Sequence, residues 1–125
     1  MNALDMARTA YSSNTAPIRT HQSTEFDVFA QITSRLKAAA ARGRAGFPDL
    51  VAAIHDNRRL WILLAGDVAG EENRLPQQLR AQLFYLAEFS LQHSAKVLDG
   101  TGEPGVLVDI NTAVMRGLRQ QEAAA

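Results

Sequence analysis

The chain has no cysteine, few aromatic residues and no excess of either charge. Without cysteine there are no disulfide bonds and no thiol chemistry, so packing alone must stabilise the fold. Metal binding would rest on three histidines, His21, His55 and His93, whose separation matches no metal-site spacing. The sequence therefore predicts a protein with no bound metal and no cofactor.

Charge and hydropathy argue against two further classes of partner. Thirteen basic residues balance thirteen acidic ones, which leaves no overall positive field to hold nucleic acid or an anionic membrane. No segment approaches the roughly 18 consecutive apolar residues of a membrane span, and the N-terminus lacks the basic and apolar regions of a signal peptide. We therefore expect a cytoplasmic protein that does not contact a membrane.

Motifs of catalysis are also missing. The chain has no nucleophile motif close to a histidine, no glycine-rich loop that would hold a phosphate, and no Glu-x-x-His pair of the kind that di-iron bundles carry. These absences predict a protein that is not an enzyme and that has no small-molecule substrate.

What the sequence does contain is a series of amphipathic segments. Hydrophobic residues make up 46% of the 125 residues, which suits one compact domain. They recur at helical spacing and show no alternating strand pattern, so the predicted fold is all-α: a mainly antiparallel bundle of four main helices, with a short N-terminal helix on a linker. We assign residues 1–13 to the N-terminal helical arm, 14–23 to the linker, 24–120 to the helical bundle and 121–125 to a frayed tail.

Capping signals predict where the helices begin and end. The hydroxyl of Thr24 can accept a bond from a free N–H of a first turn, and Pro48 and Pro76 suit the first turns of two later helices. The four main helices are predicted to begin near Thr24, Pro48, Leu75 and Val106. They are predicted to end at Gly43 or Gly46, Gly70, Gly100 and Gln120.

Polar residues interrupt two of the apolar helix faces. Asn57 lies on the same side of its helix as Trp61, and a buried amide without a hydrogen-bond partner costs ~1–3 kcal/mol. Asn111 interrupts the last helix in the same way. The two amides either face each other and fix the register between helices, or contact a partner in a groove. Trp61 has the same two interpretations, as a core residue or as an interface anchor.

Arg58 and Arg59 point to a different kind of partner. They form a basic patch if their helix lies beside the preceding one, which carries Arg35, Lys37, Arg42 and Arg44. Acidic residues interrupt this patch, and the stacking aromatics that single-stranded RNA needs are not apparent. A solvated helix face explains the same residues, so direct RNA contact is the weaker interpretation.

Four segments of the chain carry a family resemblance. They are Ala10-Tyr11, Asp56-Asn57-Arg58-Arg59-Leu60-Trp61 followed by Asp67, Leu75-Pro76-Gln77-Gln78-Leu79-Arg80-Ala81-Gln82, and Val108-Asp109-Ile110-Asn111-Thr112-Ala113-Val114-Met115-Arg116-Gly117-Leu118. In this order and spacing they resemble the FlaF family of flagellar biosynthesis regulators. The resemblance covers nearly the whole chain, with a looser match over residues 12–23.

The resemblance implies a cytoplasmic protein of flagellated alphaproteobacteria that acts after transcription on flagellin production, in balance with FlbT, by binding flagellin as a secretion chaperone. An RNA-facing regulator of flagellin mRNA and a non-catalytic adaptor in a complex with FlbT are the alternatives. No catalytic residue carries over from the family. The matching positions that we take as candidates for partner binding are Tyr11, Asn57, Arg58, Trp61, Asp67, Asn111 and Met115.

Overall fold

The computed structural model describes residues 21–124 of the chain. Within this range there are four α-helices, one short 3-10 turn and no strand: α1 His21–Ala41, the turn Gly43–Gly46, α2 Phe47–Ala69, α3 Gln77–Leu98 and α4 Pro104–Ala124. The predicted all-α bundle is confirmed for this part of the chain. The predicted N-terminal arm, with Tyr11, and most of the predicted linker lie outside the described residues.

Each helix packs against two others around a shared core. Both α1 and α3 pack against α2 and α4. In this order α2 and α4 lie diagonally across the bundle, as do α1 and α3, and the short connections make successive helices antiparallel. All four helices contribute buried apolar side chains: Phe29, Ile32, Leu36, Ile54, Trp61, Leu64, Leu83, Val97, Leu107 and Val114.

Two helices extend beyond their predicted limits. α1 begins at His21, so Thr24 lies inside the helix and its prediction as the N-cap is wrong. No proline or glycine lies between residue 18 and Thr24, so nothing in the sequence stops the helix from including these polar residues. At the other end, α4 continues to Ala124, past the predicted end at Gln120, because alanine has the highest helix propensity.

Glycines in left-handed backbone follow two of the helices. Gly43, with φ at 60°, follows α1, and Gly100, with φ at 87°, follows α3; both agree with the predicted ends. After α3, the N–H of Thr101 donates to the carbonyl of Lys96 at 2.9 Å. The hydroxyl and the N–H of Thr101 also donate to the carboxylate of Asp99, which holds the pKa of Asp99 below its usual value.

Gly46 lies where the chain turns from α1 into α2. A Cβ atom at this position would be 2.1 Å from the carbonyl oxygen of Ala39 and 2.9 Å from the Cβ of Arg42. Real Cβ atoms do not approach a backbone oxygen so closely, and the oxygen belongs to a packed helix that has little room to move. The close approach of the turn to α1 therefore requires glycine.

Candidate functional site

The centre of the bundle contains a chain of hydrogen bonds between three fully buried side chains. The Nε1 of Trp61 donates to the Oδ1 of Asn111 at 3.0 Å, and the Nδ2 of Asn111 donates to the Oδ1 of Asn57 at 2.8 Å. Asn57 and Trp61 belong to α2 and Asn111 to α4, so these bonds cross the diagonal of the bundle. We call the three residues the polar core.

The indole sets the direction of the bonds in the polar core. An indole nitrogen can only donate, so the atom of Asn111 that faces Trp61 must be its oxygen. Asn111 then presents its nitrogen to Asn57, which must accept with its own oxygen. The Nδ2 of Asn57 remains as a buried donor with no hydrogen-bond partner among the described residues. Trp61 thereby fixes the orientation of both amides.

Trp61 also joins the polar core to the apolar core. Its ring meets the ring of Phe29, on α1, edge to face, with the centroids 5.5 Å apart and the planes at 73°. Trp61 therefore contacts α1 through its ring and α4 through its nitrogen. Of the two interpretations that the sequence allows, this geometry matches facing amides and a tryptophan in the core, since none of the three side chains reaches the surface.

The other predicted site residues lie apart from the polar core. Arg58 is exposed on the outer side of α2, and Met115 is half-buried against the apolar core on α4. Asp67 is half-buried near the end of α2 and accepts a hydrogen bond from the Nδ2 of Asn73 at 3.1 Å, which helps to shape the loop to α3. Tyr11 lies outside the described residues. The predicted residues that are described therefore form one buried group and three dispersed positions, and no single surface.

Helix α3 places small polar residues inside and large aromatic residues outside. Ser90 and Ser94 are buried, and the hydroxyl of Ser94 donates to the Ser90 carbonyl at 2.7 Å. By contrast, Phe84, Tyr85 and Phe89 are 41%, 65% and 41% exposed. We call these three residues the aromatic face. Tyr85 and Phe89 are about one turn apart and neighbours on the helix surface, and Phe84 lies about 100° from Tyr85 around the axis, so the three side chains spread over the outer side of α3. Burial of the aromatic side chains would stabilise the fold more, so their exposure indicates a contact surface.

Few charged residues lie near the aromatic face in the sequence, and a hydrogen bond fixes the side chain at one of its edges. Glu88 is the only Asp, Glu, Lys or Arg between positions 81 and 95. The ring of Phe89 stacks with that of His93, with the centroids 6.0 Å apart and the planes at 4°. The Nε2 of His93 lies 2.8 Å from the carbonyl oxygen of Glu103, and this hydrogen bond holds the imidazole in place. Hydrophobic periodicity identifies the buried stripe of α3, so it did not predict the aromatic face. The three aromatic residues outside that stripe were nevertheless a usable signal.

A second exposed face runs along α2. Phe47, Val51 and Ile62 are 47%, 37% and 53% exposed, and Arg58 lies between the last two in the sequence. Their offsets from Phe47, of 4, 11 and 15 residues, place all four side chains within about 60° of one another around the helix. We call these four residues the α2 face.

The described residues contain neither a cluster of metal ligands nor a helix that could cross a membrane. Among these residues no group of three or more histidine, aspartate or glutamate side chains is close enough to hold a metal ion. None of the helices in residues 21–124 combines the length and the hydropathy that crossing a bilayer requires. The exposed surfaces of α2 and α3 are therefore the features of this part of the chain that call for a functional explanation.

Fold and site together define a small all-α bundle with a hydrogen-bonded polar core and two exposed apolar faces. The sequence profile of the family described as flagellar protein FlaF matches residues 7–118, and the chain belongs to this family. The resemblance carried by the four segments is thus confirmed, and the protein is related to the flagellum. No curated protein and no solved structure matches the chain.

Proposed function

We propose that this protein binds flagellin in the cytoplasm as a secretion chaperone, and thereby acts after transcription on flagellin production and export. Membership of a flagellar family supports a flagellar partner. The aromatic face of α3 is the observation that carries the proposal, because it offers an apolar contact surface on a folded helix. Flagellin has amphipathic terminal helices that are unfolded before export, and covering their apolar stripes prevents premature polymerisation.

The size of the aromatic face suits reversible binding. Full burial of one large apolar side chain contributes roughly 1.5–3 kcal/mol, and Phe84, Tyr85 and Phe89 are already partly covered. About half of that value for each residue gives roughly 2–5 kcal/mol from the aromatic face, which the loss of translational and rotational freedom partly offsets. Further contacts around the face are needed for a stable complex, and the balance favours a partner that is released rather than held permanently.

Calorimetry with purified flagellin tests the proposal. We expect binding at micromolar concentrations, and we expect the triple variant Phe84→Ser, Tyr85→Ser, Phe89→Ser to bind at least about tenfold more weakly, because aromatic residues commonly act as interface anchors. The control changes exposed polar residues of α4, Asp109→Ala, Arg116→Ala and Gln120→Ala, and should bind within about threefold of the unchanged chain. No binding at tens of micromolar would count against the proposal.

Direct contact with flagellin mRNA is the alternative that the geometry favours less. Arg35 is paired with Asp56 at 2.7 Å, and Arg42 is paired with Asp49, so two members of the basic patch are already engaged. Single-stranded RNA binds where aromatic side chains alternate with cations, whereas the aromatic face has Glu88 as its nearest charge in the sequence. An electrophoretic shift with flagellin mRNA at low salt, abolished at high salt, would favour this alternative instead.

An adaptor in a complex with FlbT would use the same kind of apolar surface and differs only in the identity of the partner. A pull-down from flagellated cells separates the two proposals. Recovery of flagellin by the unchanged chain, and its loss in the triple serine variant, would support the chaperone. Recovery of FlbT without flagellin would support the adaptor.

A further inference from the structure

Helix α2 keeps its acidic residues on one side. Asp49 and Asp56 are seven residues apart and both form ion pairs, Asp49 with Arg42 and Asp56 with Arg35 of α1. Asp67 follows Asp56 by eleven residues, which places it on the same side of the helix. All three acidic residues of α2 therefore lie toward one flank, away from the α2 face.

Among the charged side chains of α2, only arginines lie on or next to the α2 face. Arg58 belongs to the face and Arg59 lies next to it; both are exposed, and neither forms an ion pair within the described part of the chain. Asp56 lies three residues before Arg59, and its carboxylate is paired with Arg35. Arg58 lies on the same side of the helix as Val51 and Ile62, which are exposed, so the surface combines apolar area with positive charge.

We propose that the α2 face is a docking surface for an amphipathic helix of a partner protein whose apolar stripe is flanked by aspartate or glutamate. Phe47 and Ile62 are 15 residue steps apart, or about 22 Å along the helix, which matches about four turns of a helix laid along the face. The apolar side chains would contact the stripe of the partner, and Arg58 and Arg59 its acidic flank.

The chemistry of the face favours such a helix over a polyanion. Nucleic acid is held by many phosphate contacts, whereas this face offers one arginine, with Arg59 next to it, among large apolar side chains. The inference goes beyond the proposed binding of flagellin, since it assigns a second surface, on another helix, with its own requirement for charge.

Two synthetic helical peptides test the proposal with the full chain. Both carry the same leucine stripe; one has glutamate at the flanking positions and the other has lysine, and binding is followed by fluorescence anisotropy. We expect the glutamate peptide to bind at least about tenfold more tightly than the lysine peptide, and this preference to shrink as salt is raised. Equal affinities, or no binding of the glutamate peptide, would overturn the proposal.

Variants locate the binding on the α2 face. Arg58→Glu with Arg59→Glu should reverse the preference between the two peptides, and Ile62→Ser should weaken binding of both. The control Arg116→Glu reverses an exposed arginine on α4 and should leave the tenfold preference unchanged. If Arg116→Glu had the same effect as the α2 variants, the preference would come from overall charge and the proposal would be wrong.

Flagellin binding separates this proposal from the previous one. The triple variant Phe84→Ser, Tyr85→Ser, Phe89→Ser should lose flagellin binding and keep the tenfold preference for the glutamate peptide, because the α2 face is intact. If the peptide preference holds while flagellin does not bind at all, the α2 face is supported and the chaperone proposal fails. If a labelled oligonucleotide binds more tightly than the glutamate peptide, and this binding is lost in the variant with Arg58→Glu and Arg59→Glu, the α2 face is a nucleic-acid surface and the present inference is overturned.

Discussion

The indole nitrogen of Trp61 and the side-chain oxygen of Asn111 are 3.0 Å apart, at a point in the bundle where neither side chain has access to solvent. No water can accept a hydrogen bond from an indole N–H in an apolar core, so the hydrogen bond of Trp61 depends on this one amide. The same amide also supplies the hydrogen that Asn57 accepts. Asn111 is therefore the residue on which the whole polar core depends.

Replacing Asn111 should destabilise the fold more than its size suggests. Asn111→Leu leaves the indole N–H and the amide of Asn57 buried without partners, and each such group costs about 1–3 kcal/mol. We expect the free energy of unfolding to fall by about 2–5 kcal/mol, measured by urea denaturation followed by circular dichroism.

The double variant Asn57→Leu with Asn111→Leu is the control for this prediction. With both amides removed, only the indole N–H remains without a partner, so the double variant should lose less stability than the sum of the two single variants. Losses that simply add would mean that the two amides do not act through one network.

Trp61 fluorescence should report the core and not the bound partner. Because the indole is fully buried, we expect blue-shifted emission and weak quenching by acrylamide. Saturation with flagellin should leave the spectrum unchanged, since the aromatic face lies on the outside of the bundle. As a comparison, Tyr85→Trp places a second indole on the aromatic face, and its emission should shift on titration. A shift in the unchanged chain would show that binding rearranges the core.

Two glycine-to-alanine changes should have opposite effects on stability. Gly46→Ala puts a Cβ atom against the carbonyl oxygen of Ala39, and we expect a loss of about 1–3 kcal/mol. Gly66→Ala adds a Cβ atom with nothing within 4 Å on an exposed helix position, and we expect a gain of about 0.5–1 kcal/mol. Thermal unfolding by calorimetry measures both. A neutral Gly46→Ala would mean that the turn can move away from α1.

The aromatic face should contribute to binding and little to stability. Tyr85 is 65% exposed, so Tyr85→Ser should change the free energy of unfolding by no more than about 0.5 kcal/mol. Phe29 is buried against Trp61, so Phe29→Ala should cost about 3–5 kcal/mol. Denaturant titrations of the two variants test this contrast. If Tyr85→Ser cost as much as Phe29→Ala, the aromatic face would have a structural role.

Much of the fold could be predicted from periodicity and capping. The stripes around Ile54 and Leu107 identify the buried sides of their helices, and Gly43 and Gly100 lie at the predicted helix ends. The start of α1 could not be predicted, because Thr24 is compatible both with an N-cap and with a helix interior. The order of the helices around the core also has no signature in any one helix, since it depends on contacts between them.

The candidate site was predictable only in part, for a related reason. The sequence places Asn57 and Asn111 on apolar sides, and it leaves open whether they meet each other or a partner. Their contact depends on the relative height of α2 and α4, which separate stripes do not specify. The aromatic face was missed because periodicity identifies what a helix buries and gives no account of large side chains such as Tyr85 that remain outside.

The diagonal bond between Asn57 and Asn111 limits how far the helices can slide. A shift of α4 along α2 by a single turn is about 5.4 Å, which is far more than a hydrogen bond can stretch, and it would bring apolar atoms to both amides. Neighbouring helices packed only through aliphatic side chains would resist such sliding much less. One amide pair at the centre thus fixes the position of α4 along α2. Surfaces on different helices therefore keep constant relative positions, which a partner that spans more than one helix would require.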